Sequence, residues 1–269
     1  LHTAYRRQRQ MCIRDSAGTI TGRTITRMSS LPGESSKQKL DNFDSAVINP
    51  RQVIFAGKVK VFQDAGASVT TDTLLLASSL HISPGSVIVD LGCGSGGASL
   101  YSSTLNPGCR WICVDIRYDP LKLLMNSKNL QRTPVDITAV CCSLETVPLA
   151  FAEGFADAVI LNPPYGRLGS VRNSPDSGRD RSRAGSDLLL YQFIRGAAHL
   201  MVRGGEFLII NKAFLLPEIL LGCRAFGINP VEVQPVGSEG KPAERIILKG
   251  RKGSHEDLKI LPQIEWGRT

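Results

Sequence analysis

The stretch "SVIVDLGCGSGGASLYSST", Ser86 to Thr104, runs from a continuous apolar segment into a glycine-rich turn and then into a small-residue helix pattern. That switch opens a nucleotide-binding β-α unit. Glycines let the backbone approach a ligand closely, and the helix behind them offers unpaired amides and a positive dipole end. Within it Gly92, Gly94 and Gly96 form the turn and Asp90 ends the strand. Downstream, "CRWICVDI" (Cys109–Ile116) reads as a second strand ending at Asp115, near the ~20-residue distance at which an acidic side chain accepts ribose hydroxyls. Up to this point a nicotinamide dehydrogenase fits equally well.

The rest of the chain extends the alternation. "PLKLLMNSKNLQ" (Pro120–Gln131) reads as a helix, "ITAVCCSL" (Ile137–Leu144) and "FADAVILN" (Phe155–Asn162) as strands, "DLLLYQFIRGAAHLMV" (Asp187–Val202) as a long helix and "GGEFLIIN" (Gly204–Asn211) as a fifth strand. "EILLGCRAFG" and "ERIILKG" supply a last helix and a late strand. Ahead of the glycine turn, "VIFAGKVKVFQ" alternates like a hairpin around Gly57, and "TTDTLLLASSL" reads as a short helix capped by threonine or aspartate. Strands alternating with helices predict an α/β fold, a doubly wound Rossmann-like sheet with helices on both faces.

Composition bounds the function. At 269 residues and 42% hydrophobic content, the chain suits one main domain with tails. No apolar run reaches the ~18 residues of a membrane span, so a cytoplasmic protein without a membrane partner is expected. The seven cysteines include no C-x-x-C pair, and His81, His199 and His255 share no spacing, so no metal site or disulfide framework is expected. Of the net charge of +8, most sits before Met28, where six arginines face only Asp15. There "MCIRDS" (Met11–Ser16) resembles a translated sequencing-library end. Residues 1–27 are therefore expected to be a non-native or disordered segment, the competing reading being a genuine basic arm. Residues 28–50 read as a flexible lead-in, 51–253 as the structured domain and 254–269 as a C-terminal tail; a monomer is expected.

The most telling chemistry lies in "LNPPYG", Leu161 to Gly166, at the end of the fourth strand. The Asn162 amide oxygen and the Pro163 carbonyl are two acceptors with no competing donor from proline, an arrangement suited to a planar NH₂ group. Pro163 and Pro164 hold the turn, and Tyr165 is placed to stack on a planar base or amide. A conjugated exocyclic amine is a poor nucleophile. Two acceptors on its hydrogens localise charge on nitrogen and aim it at an electrophile, which for S-adenosylmethionine is the sulfonium methyl.

"DLGCGSG", "VDI" and "LNPPYG", in this order and spacing, resemble the class I S-adenosylmethionine-dependent methyltransferases of the amino-methylating group. More narrowly, "KVKVFQDAGASVTTDTLLLA" (Lys58–Ala77) and "AERIILKGRKG" (Ala243–Gly253) resemble bacterial tRNA(Val) adenine-N6 methyltransferases, the likeness running from about Phe55 to about Gly253. The resemblance implies that Asp90, Gly92, Gly94, Gly96 and Asp115 hold S-adenosylmethionine, with Thr71 and Asp72 bordering it. Asn162 to Tyr165 would present the target amine. Where such enzymes often carry an acidic residue near the cofactor adenine, this chain has "CCSLE", with Ser143 the nearest match. "GRLGSVRNSPDSGRDRSRA" (Gly166–Ala184) reads as a solvated loop or as an RNA phosphate clamp carrying Arg167, Arg172, Arg179, Arg181 and Arg183, which Lys58 and Lys60 would extend. The leading expectation is N6-methylation of adenine in tRNA or another structured RNA. The alternatives are methylation of a glutamine side-chain amide in a protein, and a catalytically silent cofactor-fold binding module.

Overall fold

The structure is a computed structural model and describes residues 26–28, 51–55, 59–63, 68–164 and 178–265. Its strands are β1 (Thr26–Met28), β2 (Arg51–Phe55), β3 (Val59–Gln63), β4 (Val87–Leu91), β5 (Arg110–Asp115), β6 (Asp136–Cys141), β7 (Ala156–Leu161), β8 (Met201–Lys212), β9 (Ile228–Gly237), β10 (Arg245–Lys252), β11 (Lys259–Ile260) and β12 (Ile264–Glu265). The helices are α1 (Thr71–Ser79), α2 (Gly97–Leu105), α3 (Tyr118–Lys128), α4 (Val147–Ala150), α5 (Gly178–Leu200) and α6 (Leu216–Ala225), with a 3₁₀ turn at Ala213–Leu215.

The main sheet runs in the order β1-β6-β5-β4-β7-β8-β10-β9-β11, with β12 also on β9. Strands β4 to β8 are mutually parallel, and β10 and β9 continue the sheet antiparallel. The chain lays β4, β5 and β6 outward on one side, then returns to place β7 on the other side of β4. The carboxyl ends of β4 and β7 therefore flank the switch in strand order, the crevice where open α/β sheets bind ligands.

Alternation divides the core. Val87, Val89 and Leu91 of β4 join the cluster containing Val159, Phe193, Ile194 and Ile209, while Ile88 joins the opposite cluster with Leu100, Trp111, Leu121 and Leu208. Strands buried on both faces read as unbroken apolar runs, and helices cover each face. The expected β2–β3 hairpin is present, with Val53 opposite Val61. Helix α1 has the threonine cap that the sequence allows. Thr70 is its cap, and Thr70 and Thr73 form a reciprocal capping box.

Three features differ from the sequence reading. Thr26–Met28 pairs antiparallel with β6, so the end of the N-terminal segment adds an edge strand. Residues 178–184, expected in a loop, fall in the first turns of α5; Arg179, Arg181 and Arg183 thus belong to a helix, while Lys58, Arg167 and Arg172 lie outside the described residues. Strand β9, "INPVEVQPVG", was not anticipated. No helix among the described residues is long and apolar enough to cross a membrane.

Candidate active site

A cavity of about 540 Å³ opens at the carboxyl edge of the sheet, within the range that holds a drug-sized ligand. One wall is the turn after β4. The N–H groups of Gly92 and Cys93 both donate to the carbonyl of Val114, at 2.7 and 3.0 Å, which straps the turn to β5. Gly92 has φ of +83°, and a Cβ there would press on the Phe193 ring. Gly96 caps α2 with φ of +76°, and a Cβ there would overlap the Leu124 side chain. Both positions need glycine for conformation and for space.

Asp115, only 7% exposed, ends β5 on the same wall. Its Oδ2 accepts from the Gly94 N–H at 2.9 Å and its Oδ1 from the Arg117 N–H at 2.9 Å, with the Arg117 Nε at 3.4 Å. The carboxylate is thereby fixed in place on the cavity, where its remaining lone pairs suit a vicinal diol. Asp90 also lines the cavity and is 3% exposed. Burial pushes its carboxyl up to about 7, against the lowering effect of the Ser99 hydroxyl that donates to Oδ2 at 2.6 Å, and the Asp115 charge adds to the rise. Burial likewise raises the Cys93 thiol well above its ordinary range, reinforced by Cys113. Two acidic side chains on one wall favour a ligand with a cationic group and hydroxyls.

On the strand paired to β4, Asn162, Pro163 and Pro164 leave the end of β7 and line the same cavity, Pro163 buried and Pro164 exposed. Tyr165 lies outside the described residues. The arrangement brings Asp90, Gly92, Gly94, Asp115 and Asn162 to Pro164 around one space, as the sequence suggested.

Other anticipated residues stand elsewhere. Thr71 is exposed, and the cavity wall at that point is Thr70 and Thr73. Asp72 is buried in an ion pair with Arg245 at 3.0 Å. Gly96 shapes the turn from behind the wall. Ser143 is engaged with Thr146 at 3.1 Å, while its neighbours Cys142, Leu144 and Glu145 reach the cavity. Glu145, two positions after Ser143, is the acidic residue of that segment that lines the cavity. Leu189, Gln192 and Phe193 of α5 also line the cavity and carry no local signal in the sequence, since they read as an ordinary helix face.

A parallel sheet with this switch point, glycine turn and acidic strand ends defines a doubly wound, Rossmann-like architecture. Solved structures share it: a predicted O-methyltransferase from Agrobacterium tumefaciens (TM-score 0.59, 21% identity, 72% of this chain and 87% of that one) and the AdoMet complex of TYW2 from M. jannaschii (TM-score 0.52, 10% identity, 75% and 85%). The model of the methyltransferase small domain family matches residues 52–227, and the chain belongs to that family. Among curated relatives, it is 28% identical over 207 residues to the tRNA1(Val) (adenine(37)-N6)-methyltransferase of Shewanella amazonensis, covering 72% of this chain and 84% of that protein. It is 27% identical over 165 residues to the ribosomal RNA large subunit methyltransferase G of Vibrio campbellii, covering 61% and 37%.

Proposed function

We propose that this chain is a cytoplasmic, S-adenosylmethionine-dependent N-methyltransferase acting on the exocyclic N6 amine of adenine in tRNA, with residues 51–253 as its working domain. The observation that carries this reading is the shared cavity: Asn162 and Pro163 line the same space as Asp115 and the glycine turn. The relatives that methylate tRNA and ribosomal RNA support an RNA acceptor.

The residues fit the cofactor. Asp115, already held by two backbone N–H groups, has acceptor capacity for ribose hydroxyls, and Asp90 lies where it can balance a cation. Ile116, Leu144 and Leu189 supply apolar wall for a ring system. When bound, S-adenosylmethionine supplies an electrophilic methyl. The Asn162 side-chain oxygen and the Pro163 carbonyl accept the two amine hydrogens and orient the nitrogen lone pair towards the methyl site. No strong base is required before the new bond forms, because the nitrogen becomes acidic only as it is alkylated. Most of the acceleration then comes from positioning and from acceptors that strengthen as charge develops on nitrogen. An adenine must leave any stack to enter the cavity, so unpaired loop adenines are preferred.

The test is an assay with tritiated S-adenosylmethionine on bulk tRNA and on a glutamine-containing protein substrate. Label recovered as N6-methyladenosine is the expected result. Label only in the protein would transfer the assignment to glutamine methylation, and NADH binding without S-adenosylmethionine binding would remove it from methyl transfer altogether.

A further inference from the structure

We propose that Phe214 is a stacking platform for an RNA base next to the methylated nucleotide; the inference rests on the RNA reading above. Parallel pairing sets Leu161 of β7 beside Ile209 of β8. While β7 gives way to Asn162–Pro164, β8 continues to Lys212 and turns at Ala213–Leu215. Phe214 therefore stands in the turn that leaves the adjacent strand at the same carboxyl edge, beyond the register position that faces Asn162. Its side chain is 73% exposed, the second most exposed large hydrophobic among the described residues.

A single exposed aromatic means little by itself. What distinguishes this one is the rigidity of its mount. Ala213, Leu215 and Leu216 around it pack against the core, leaving Phe214 directed outward. The Ala213 N–H donates to the Glu244 carbonyl at 3.1 Å, joining the turn to the segment before β10. The Lys212 N–H donates to Oδ1 of the buried Asn211 at 2.8 Å. Arg245, opposite Lys212 in the β8–β10 ladder, is anchored by its ion pair to Asp72 on α1. An apolar ring held outward on so fixed a turn loses little freedom on binding, and a base offers it a flat π face.

Lys212, half-buried and two residues before Phe214, adds a cation next to the turn, which suits a phosphate backbone better than an apolar protein surface. A target base drawn out of its stack leaves a neighbour with one face uncovered. Phe214 covers that face, which holds the strand open beside Asn162.

The experiment measures RNA binding and methyl transfer for wild type, Phe214→Ala, Phe214→Leu and Phe214→Trp. The RNA is an unmodified tRNA, tested intact and with an abasic residue on either side of the methylated adenine. Phe214→Ala is expected to weaken RNA binding about tenfold or more while S-adenosylmethionine affinity stays within twofold, which also reports an intact fold. Phe214→Trp should retain binding, and Phe214→Leu should behave like alanine because area without a π face does not stack. The abasic RNA should cost wild type the same factor and cost Phe214→Ala little more. An RNA affinity unchanged in Phe214→Ala, or losses that add independently of the abasic site, would overturn the platform even with RNA methylation intact. A wild type that methylates no RNA fails the reading beneath it instead, and a variant that loses activity only on a protein substrate would move Phe214 to protein recognition.

Discussion

At one end of the cavity Asp115 accepts two backbone N–H groups, Asp90 accepts the Ser99 hydroxyl, and the glycine turn is strapped to β5 through Val114. At the other end Asn162, Pro163 and Pro164 emerge from β7 with burial falling away at Pro164, at the sheet edge where the turn carrying the exposed Phe214 also lies. The first end is a closed framework whose polar groups are already partnered. The second is an open rim on the edge of the same sheet. The contrast follows from their tasks. A methyl donor is the same molecule in every turnover and rewards a preorganised cradle, whereas the proposed RNA acceptor is large and arrives from solvent. It also explains why the fold recurs among methyltransferases of different acceptors, since the cradle is retained while the rim changes.

The contrast predicts that damage at the two ends separates kinetically. Asn162→Ala removes an acceptor that matters most as charge develops, so kcat should fall by about 10²–10³-fold with S-adenosylmethionine affinity nearly unchanged. Single-turnover rates beside calorimetric binding would show it. A change confined to KM would place Asn162 in ground-state binding. Gly96→Ala acts on the framework itself. It forces a side chain into left-handed backbone and against Leu124, with an expected destabilisation of about 2–4 kcal/mol by denaturant unfolding. A loss under 1 kcal/mol would mean that the turn relaxes freely.

Asp115→Ala should then weaken S-adenosylmethionine about tenfold or more, by removing acceptors for buried hydroxyls and by leaving the Gly94 and Arg117 N–H groups without their partner. An unchanged kcat at saturating cofactor would keep the two ends distinct; a kcat loss as large as that of Asn162→Ala would merge them.

Legibility in the sequence tracks the same division. The glycine turn, Asp90, Asp115 and Asn162 were readable because local backbone demands fix their residue types at set positions. Strand β9 was hidden by Pro230 and Pro235, which normally argue against a strand. It is tolerated because its outer edge carries only the two-residue strands β11 and β12, and because Pro230 meets Gly250 where the β9–β10 register shifts. The start of α5 was hidden by a composition of Arg, Ser and Gly that carries little apolar period. The resemblance implies that Asp72 borders the cofactor, but the helix phase turns it to Arg245, which lies 173 residues away in sequence. No local pattern encodes such a partner. Leu189, Gln192 and Phe193 were equally silent, since what makes them cavity residues is the packing of α5 across the glycine turn, seen in the approach of Phe193 to Gly92.

The smallest predicted effect tests whether the framework end senses charge. Asp90 has its carboxyl raised from an ordinary 3.8 to about 7, burial being the main cause. A raised acid pKa means that the native state holds its proton more tightly than the unfolded chain. The stability it contributes is full below about pH 4 and is lost as pH rises through 7. A cationic ligand beside Asp90 favours the ionised form, so binding should release a fraction of a proton near neutrality. S-adenosylmethionine affinity should therefore rise severalfold between pH 5.5 and 7.5, with proton release visible as a dependence of calorimetric enthalpy on buffer ionisation. S-adenosylhomocysteine, which lacks the sulfonium charge, should show a weaker rise. Asp90→Asn keeps an acceptor for Ser99 but cannot ionise, and it should flatten the pH dependence of both ligands. An Asp90→Asn variant that retains the full pH dependence would assign the titration to another group and leave Asp90 as packing for the turn.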